Sequence, residues 1–252
     1  MTSTDRLRQI TDALRDGAER SVAELAGLTG ASEMTIRRDL EVLADQGVLE
    51  RYRGGARGLT LRGEEPPFAL RAQEGQEAKR RIAAEVCALI ADGESVVLDS
   101  GTTCLEVARA LRGRRVTVMP LSLHAANELS GSPQLTLLLP GGQPRPGELA
   151  LTGPLTEASL AALRFDTAVI GCCGLSVADG LTAYDLADAA VKRAAIASSR
   201  RVIAVADAAK FSRSALAFVT HASALHCVVT EQDAPDDQIQ ALTANGVTVR
   251  RA

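Results

Sequence analysis

Two groups of residues in this 252-residue chain have types and spacing that could do chemistry. The first is Ser32, Thr35, Arg37 and Arg38, in the run Ser32-Glu33-Met34-Thr35-Ile36-Arg37-Arg38-Asp39-Leu40. If Ile36, Leu40 and Leu43 face inward on a helix, Glu33, Thr35, Arg37, Arg38 and Glu41 are left toward solvent. A hydroxyl and two forked guanidiniums early on such a helix suit guanine edges and phosphates in a major groove. The second group follows apolar runs later in the chain: Asp99-Ser100-Gly101-Thr102-Thr103, Pro140-Gly141-Gly142, Gly171-Cys172-Cys173-Gly174 and Asp207-Ala208-Ala209-Lys210, with Lys192 ahead of the last. Hydroxyls, glycine and free helix-start amides together hold an anion such as a phosphate. The basic residues are 25 Arg and only three Lys (Lys79, Lys192, Lys210), which makes each Lys a candidate for a place where a compact ammonium is needed.

The elements that must carry the first group follow from apolar spacing. Leu7, Ile10 and Leu14 predict an amphipathic helix over residues 4–16. Ser21 and Glu24 form a capping-box pair opening a second helix, with Val22, Leu25 and Ala26 as its apolar face and Gly30 at its end. Ser32 caps a third, in which Met34, Ile36, Leu40 and Leu43 supply the buried stripe and Gly47 the stop. The turn Leu28-Thr29-Gly30-Ala31 has helix-turn-helix spacing. Gly54-Gly55, flanked by residues 48–53 and 57–62, predicts a hairpin. Arg51, Arg53, Arg57 and Arg62, with no acid among them, could track a phosphate backbone from that wing. Residues 1–60 therefore form an expected winged helix-turn-helix. They hold nine Arg against ten acids, so charge alone does not separate a DNA reader from a protein-binding module. Arg37 and Arg38 could equally pair with Glu33, Asp39 or Glu41 on a solvated face.

Residues 61–74, with Pro66-Pro67, are expected as a linker to a second domain over 75–252. A helix is predicted from Glu77 to Ala91. Apolar runs then alternate with helical stretches: Ser95 to Asp99, Val116 to Met119, Leu135 to Leu139, Ala168 to Ile170, Arg201 to Val205, Cys227 to Val229 and Val247 to Val249. Such runs predict a Rossmann-like, largely parallel α/β sheet, whose ligands bind beyond the carboxyl ends of the strands.

Composition narrows the classes. The chain is 46% hydrophobic and 23% charged with net charge −3, ordinary globular usage. No apolar run reaches the roughly 18–20 residues that span a bilayer, and the first residues lack a secretory apolar core, so a cytoplasmic location is expected. Four Phe, two Tyr and no Trp leave too few rings for a base-stacking platform. Five cysteines, Cys87, Cys104, Cys172, Cys173 and Cys227, have no metal-ligand spacing and are expected as reduced, mostly buried thiols. No metal or cofactor is expected.

The run Thr35-Ile36-Arg37-Arg38-Asp39-Leu40, with Leu43, Gly47 and Gly54-Gly55-Ala56 downstream, closely resembles the N-terminal signature of the DeoR family of bacterial transcriptional regulators. Leu98 to Thr103, Gly141-Gly142, Val191-Lys192-Arg193-Ala194, Ala206-Asp207 and Lys210-Phe211 resemble that family's effector domain over about residues 75–232. The resemblance implies a fold similar to ribose-5-phosphate isomerase and a phosphorylated sugar or related metabolite as effector. By resemblance, Ser100 to Thr103 and Lys210 would meet its phosphate, and Asp99, Asp207 and Lys192 its sugar end. Two departures stand out. Pro120-Leu121-Ser122 replaces the family's usual Thr-Asn-Ser, removing one amide contact, and Cys172-Cys173 stands where a polar residue is commoner.

The function expected is a ligand-controlled regulator of a carbohydrate-metabolism operon, a repressor, bound to double-stranded operator DNA as a homo-oligomer (dimer or tetramer) and away from membranes. The alternative is a sugar-phosphate isomerase-like enzyme with an accessory DNA-binding head, using Asp99, Asp185 or Asp207 as base. Against it, Gly171-Cys172-Cys173-Gly174 carries no carboxylate. A structural scaffold without ligand is a third reading.

Overall fold

A computed structural model describes residues 3–14, 17–45, 48–58 and 66–252, divided into two units, Met1–Gly75 and Gln76–Ala252. The first contains α1 (Ser3–Ala13), β1 (Glu19–Ser21), α2 (Val22–Thr29), α3 (Glu33–Asp45), β2 (Leu49–Tyr52), β3 (Gly55–Gly58) and α4 (Phe68–Gln73). Leu7, Ile10, Leu14, Leu25, Ile36, Leu40 and Leu43 make its core. The expected capping box is present: Ser21 Oγ accepts the Glu24 amide while Glu24 Oε2 accepts the Ser21 amide. Gly30, at φ 66°, ends α2 in the left-handed region open to glycine.

The wing is a three-stranded antiparallel sheet in the order β1-β3-β2. Tyr52 pairs with Gly55, so Arg53-Gly54 make the turn, with Gly54 at φ 98°. The hairpin thus returns two residues earlier than the spacing suggested. A Cβ at Gly58 would lie 1.7 Å from the Leu14 carbonyl oxygen, and one at Gly55 2.3 Å from that of Arg20. Both glycines are there because backbone meets backbone. Gly47, Arg62 and the expected linker residues 61–65 lie outside the described residues.

Two expectations for this unit are corrected. Met34 is not in the buried stripe: it is 63% exposed, and Asp39 takes the inward position instead. Residues 68–73 are not linker but helix α4, whose Leu70 joins the same core.

The second unit runs α5 (Gln76–Leu89), β4 (Ser95–Leu98), α6 (Thr102–Leu111), β5 (Thr117–Pro120), α7 (Leu123–Leu129), β6 (Thr136–Leu137), β7 (Gln143–Pro144), β8 (Leu151–Thr152), α8 (Pro154–Ala161), β9 (Phe165–Gly171), β10 (Gly174–Ser176), β11 (Gly180–Ala183), α9 (Leu186–Ala197), β12 (Ser199–Ala206), β13 (Ala217–Thr220), β14 (Cys227–Thr230), α10 (Asp236–Ala244) and β15 (Thr248–Arg251). All seven apolar runs become strands of one sheet, ordered β15-β14-β12-β9-β4-β5-β6, with every pairing parallel. Successive side chains enter opposite cores, Val96 and Leu98 one and Val97 the other, so the central strands are covered on both faces and apolar, while the edge strands β6 and β15 are partly exposed. A small antiparallel sheet, β10-β11-β13, was not anticipated.

The strand order reverses between β4 and β9. From β4 the chain builds outward through β5 and β6, and from β9 it builds the other way through β12, β14 and β15. In open α/β sheets such a switch point marks the crevice where ligands bind, at the carboxyl ends of the two strands that flank it, here β4 and β9.

Candidate DNA-reading helix and ligand crevice

In the first unit, Ser32 Oγ accepts the Thr35 amide at 3.2 Å and lies 2.9 Å from Thr35 Oγ1, so the two hydroxyls cap α3 together. Arg37 and Arg38 are both exposed, but they differ. Arg37 Nη2 pairs with Glu33 at 3.1 Å, an exposed i,i+4 bridge of small net energy. Arg38 has no carboxylate partner among the described residues. Asp39 is not available to either, because Arg6 Nε and Nη2 donate to its two oxygens at 2.5 and 3.2 Å. This fork ties α1 to α3 and explains why an acid can occupy the buried face. On the wing, Arg51 lies 3.5 Å from Glu41 and Arg57 2.8 Å from Glu50. Arg53, in the turn, has no such partner among the described residues. A cavity of about 510 Å³ in this unit, lined by Gln9, Arg20, Leu25 and Leu28 among others, contains none of the six expected DNA-contact residues.

At the switch point the structure brings together Asp99, Gly171 and Lys192. Asp99 directly follows β4, is 1% exposed, and through Oδ2 accepts both the Gly171 amide, at 2.9 Å, and the Lys192 ammonium. Lys192, on α9, is itself buried and lies 3.4 Å from Asp188 one turn earlier. Burial opposes the Lys192 charge, but Asp188 and Asp99 outweigh it and hold the ammonium protonated well above its ordinary range. Burial also pushes the Asp99 carboxyl up, against the pull of Lys192. Two donors converging on one oxygen favour the carboxylate. Sequence reasoning missed Asp188, although the Asp188–Lys192 spacing of four on a helix was the available signal.

Ser100 and Thr102 are buried beside Asp99, and Gly101 begins α6 at φ 97° with no side-chain cap. The first amides of α6 are thus left for a ligand in the position where a helix end favours negative charge. Asp207, directly after β12, has a buried Oδ1 without a hydrogen-bond partner among the described residues. Three residues on, Lys210 is half-buried with no carboxylate partner among the described residues. Both act electrostatically on Cys172, whose thiol is pushed up to about 12, chiefly by burial and against the pull of Lys210. Burial likewise raises Cys104, followed by the nearby Asp99 charge. Among the described residues there is no disulfide.

Gly141-Gly142 have a local reason for being glycine. Thr156 Oγ1 donates to the Gly141 carbonyl at 3.0 Å, and a Cβ at Gly142 would lie 2.0 Å from that hydroxyl oxygen. The close approach here is to α8 of the same chain. Asp185, a candidate base in the enzyme reading, caps α9 by accepting the Asp188 amide. Asp99 is held by Lys192 and Gly171.

Residues 6–60 match the DeoR-like helix-turn-helix domain, and residues 74–232, more than half of the chain, match the DeoR C terminal sensor domain. This chain belongs to the DeoR family of transcriptional regulators. This DeoR-family chain is 32% identical to the HTH-type transcriptional regulator GlpR of Haloferax volcanii, over 99% of the chain and 98% of that protein. It is 31% identical to the glycerol-3-phosphate regulon repressor of Escherichia coli K12, over 96% of both. It is also 31% identical to the putative aga operon transcriptional repressor of Escherichia coli O157:H7, over 98% of the chain and 93% of that protein. Among solved structures, ribose 5-phosphate isomerase A of Methanocaldococcus jannaschii aligns with 55% of each chain at 16% identity and a TM-score of 0.41. The full-length relatives of this DeoR-family chain are regulators, not enzymes. Among its described residues no helix is long and apolar enough to cross a membrane.

Proposed function

We propose that this DeoR-family chain is a repressor of a carbohydrate-metabolism operon, bound to double-stranded operator DNA, whose hold is relieved or modulated by a phosphorylated sugar or related metabolite in the β4–β9 crevice. Ser32, Thr35, Arg37 and Arg38 of α3 meet the operator in the major groove, and Arg51 and Arg53 of the wing follow its backbone. In the crevice, Ser100 to Thr103 and Lys210 take the phosphate. Asp99, Gly171, Lys192 and Asp207 face the hydroxyl end, with Gly141-Gly142 at the margin. The protein acts in the cytoplasm as a homo-oligomer, dimer or tetramer, so that two heads engage one operator.

The observation that carries the ligand half is the set of unmet polar groups, among the described residues, at the carboxyl ends of β4 and β12: α6 amides without a side-chain cap, a buried Asp207 oxygen without a hydrogen-bond partner and a Lys210 without a carboxylate partner. A free acceptor beside a free cation suits a ligand that offers both hydroxyls and an anion. A ligand moves the DNA-binding equilibrium only by its difference in affinity for the two states, and switching from 1:99 to 99:1 takes about 5.5 kcal/mol. The test is a thermal-shift screen of phosphorylated sugars and sugar alcohols. A true effector at 100 times its Kd adds about 2.7 kcal/mol of stability. A screen in which no phosphorylated polyol raises the melting temperature contradicts the proposal.

A further inference from the structure

The first turn of α3 carries a side chain that the head's core does not use. Met34 is 63% exposed and belongs to none of the hydrophobic clusters. At 3.6 residues per turn it stands about half a turn from the buried Ile36, Leu40 and Leu43, in line with Arg38 and Glu41. It is therefore central on the face that α3 turns away from its own domain. Isolated exposed apolar residues are ordinary on protein surfaces. This one differs by its place at the capped start of the helix, the part of a recognition helix that reaches base edges. Arg38, one turn on, and Arg53, in the wing turn, have no carboxylate partner among the described residues, and their charge complements a phosphate backbone.

The apolar feature that base edges offer in a major groove is the C5-methyl of thymine. We propose that Met34 reads a thymine methyl in the operator half-site, setting sequence preference at one base pair where Arg37 and Arg38 cannot. An unbranched, polarizable thioether can cover such a methyl without demanding one rigid geometry. The inference rests on the DNA-binding reading above.

The test uses full-length protein and duplex sites selected by the wild type from a random pool. Each thymine of the selected half-site is replaced singly by deoxyuridine, which lacks only the C5-methyl. At one position wild-type affinity should fall about fourfold, the equivalent of one buried methyl group. Met34→Ala should bind the thymine and uracil duplexes alike at that position, with its helical circular dichroism unchanged, while Met34→Leu should retain part of the discrimination. Wild-type protein that binds the selected duplex tightly but discriminates at no position overturns the proposal and leaves DNA reading intact. So does equal discrimination by wild type and Met34→Ala. A wild type that enriches no sequence from the pool overturns both.

Discussion

The Gly171 amide donates to Asp99 Oδ2 at 2.9 Å, joining the ends of β9 and β4 where the strand order reverses. The same oxygen takes the Lys192 ammonium, so one buried carboxylate holds the switch-point loop, the β9 end and α9 in register. A buried charge pair adds little net stability by existing, but its disruption is expensive because the remaining partner stays buried and unpaired.

Lys192→Met should therefore destabilise the protein by roughly 3–5 kcal/mol, leaving Asp99 and Asp188 facing each other without their cation. Urea unfolding checks it. The raised Lys192 pKa gives the sign of the pH dependence: its contribution is complete below the ordinary lysine range and is lost as pH climbs through the folded value. A variant as stable as wild type at neutral pH would mean the ammonium is not structural.

Arg37→Ala and Arg38→Ala should both weaken operator binding, by about 1–3 kcal/mol where the side chain meets a base edge, with relaxed preference at that base. A phosphate contact would instead weaken all sequences alike and lower the salt slope by about one. Because Arg37 already pairs with Glu33 while Arg38 does not, Arg38→Ala should have the larger effect. Fluorescence anisotropy at two salt concentrations distinguishes these outcomes, and unchanged affinity in both variants would remove α3 from the interface.

Much of this arrangement was legible in the sequence. The capping box at Ser21 and Glu24 is local, and the central strands of the parallel sheet are short apolar runs covered on both faces. What escaped depends on contacts between distant residues. Nothing near Asp99 in sequence points to Lys192, 93 positions away. Asp39 takes an inward position with Arg6, 33 positions away, on its carboxylate, whereas Met34 faces out simply because it stands about half a turn from Ile36, Leu40 and Leu43. Strands β10 and β11, three and four residues long and opening on Gly174 and Gly180, are too short to show a period. Helix α4 was hidden by Pro66-Pro67, although Pro67 stands at its start, where proline is tolerated.

Gly58→Ala should destabilise the head by about 1–3 kcal/mol or more, since the added Cβ falls 1.7 Å from the Leu14 carbonyl oxygen and neither backbone is a flexible side-chain end. Thermal unfolding would show the loss, and an unchanged head would mean that β3 does not press on the backbone of Leu14, just after α1.

The thiols should be slow to alkylate in the native protein. Burial pushes Cys172 up to about 12 and Cys87 up to about 11, so the thiolate fraction at pH 8 is small, and modification should accelerate only as pH approaches those values. All five should react once the chain is denatured without reductant, as counted by mass. Rapid modification of Cys172 at pH 8 would indicate an open, electropositive thiol, contrary to its setting.

Lys210→Ala should leave folding and operator affinity unchanged but raise the ligand concentration needed for a response about ten- to hundred-fold, the cost of one charge-assisted contact. An unshifted response would place the phosphate elsewhere.

The most direct measurement is operator affinity of the full-length wild type, titrated with the phosphorylated ligand that raises its melting temperature. Occupancy of the β4–β9 crevice should change operator affinity at least about tenfold, an effect of about 1.4 kcal/mol, over the concentration range in which the thermal shift saturates. Operator affinity that stays constant through saturation would contradict the claim that this crevice controls the DNA-reading head.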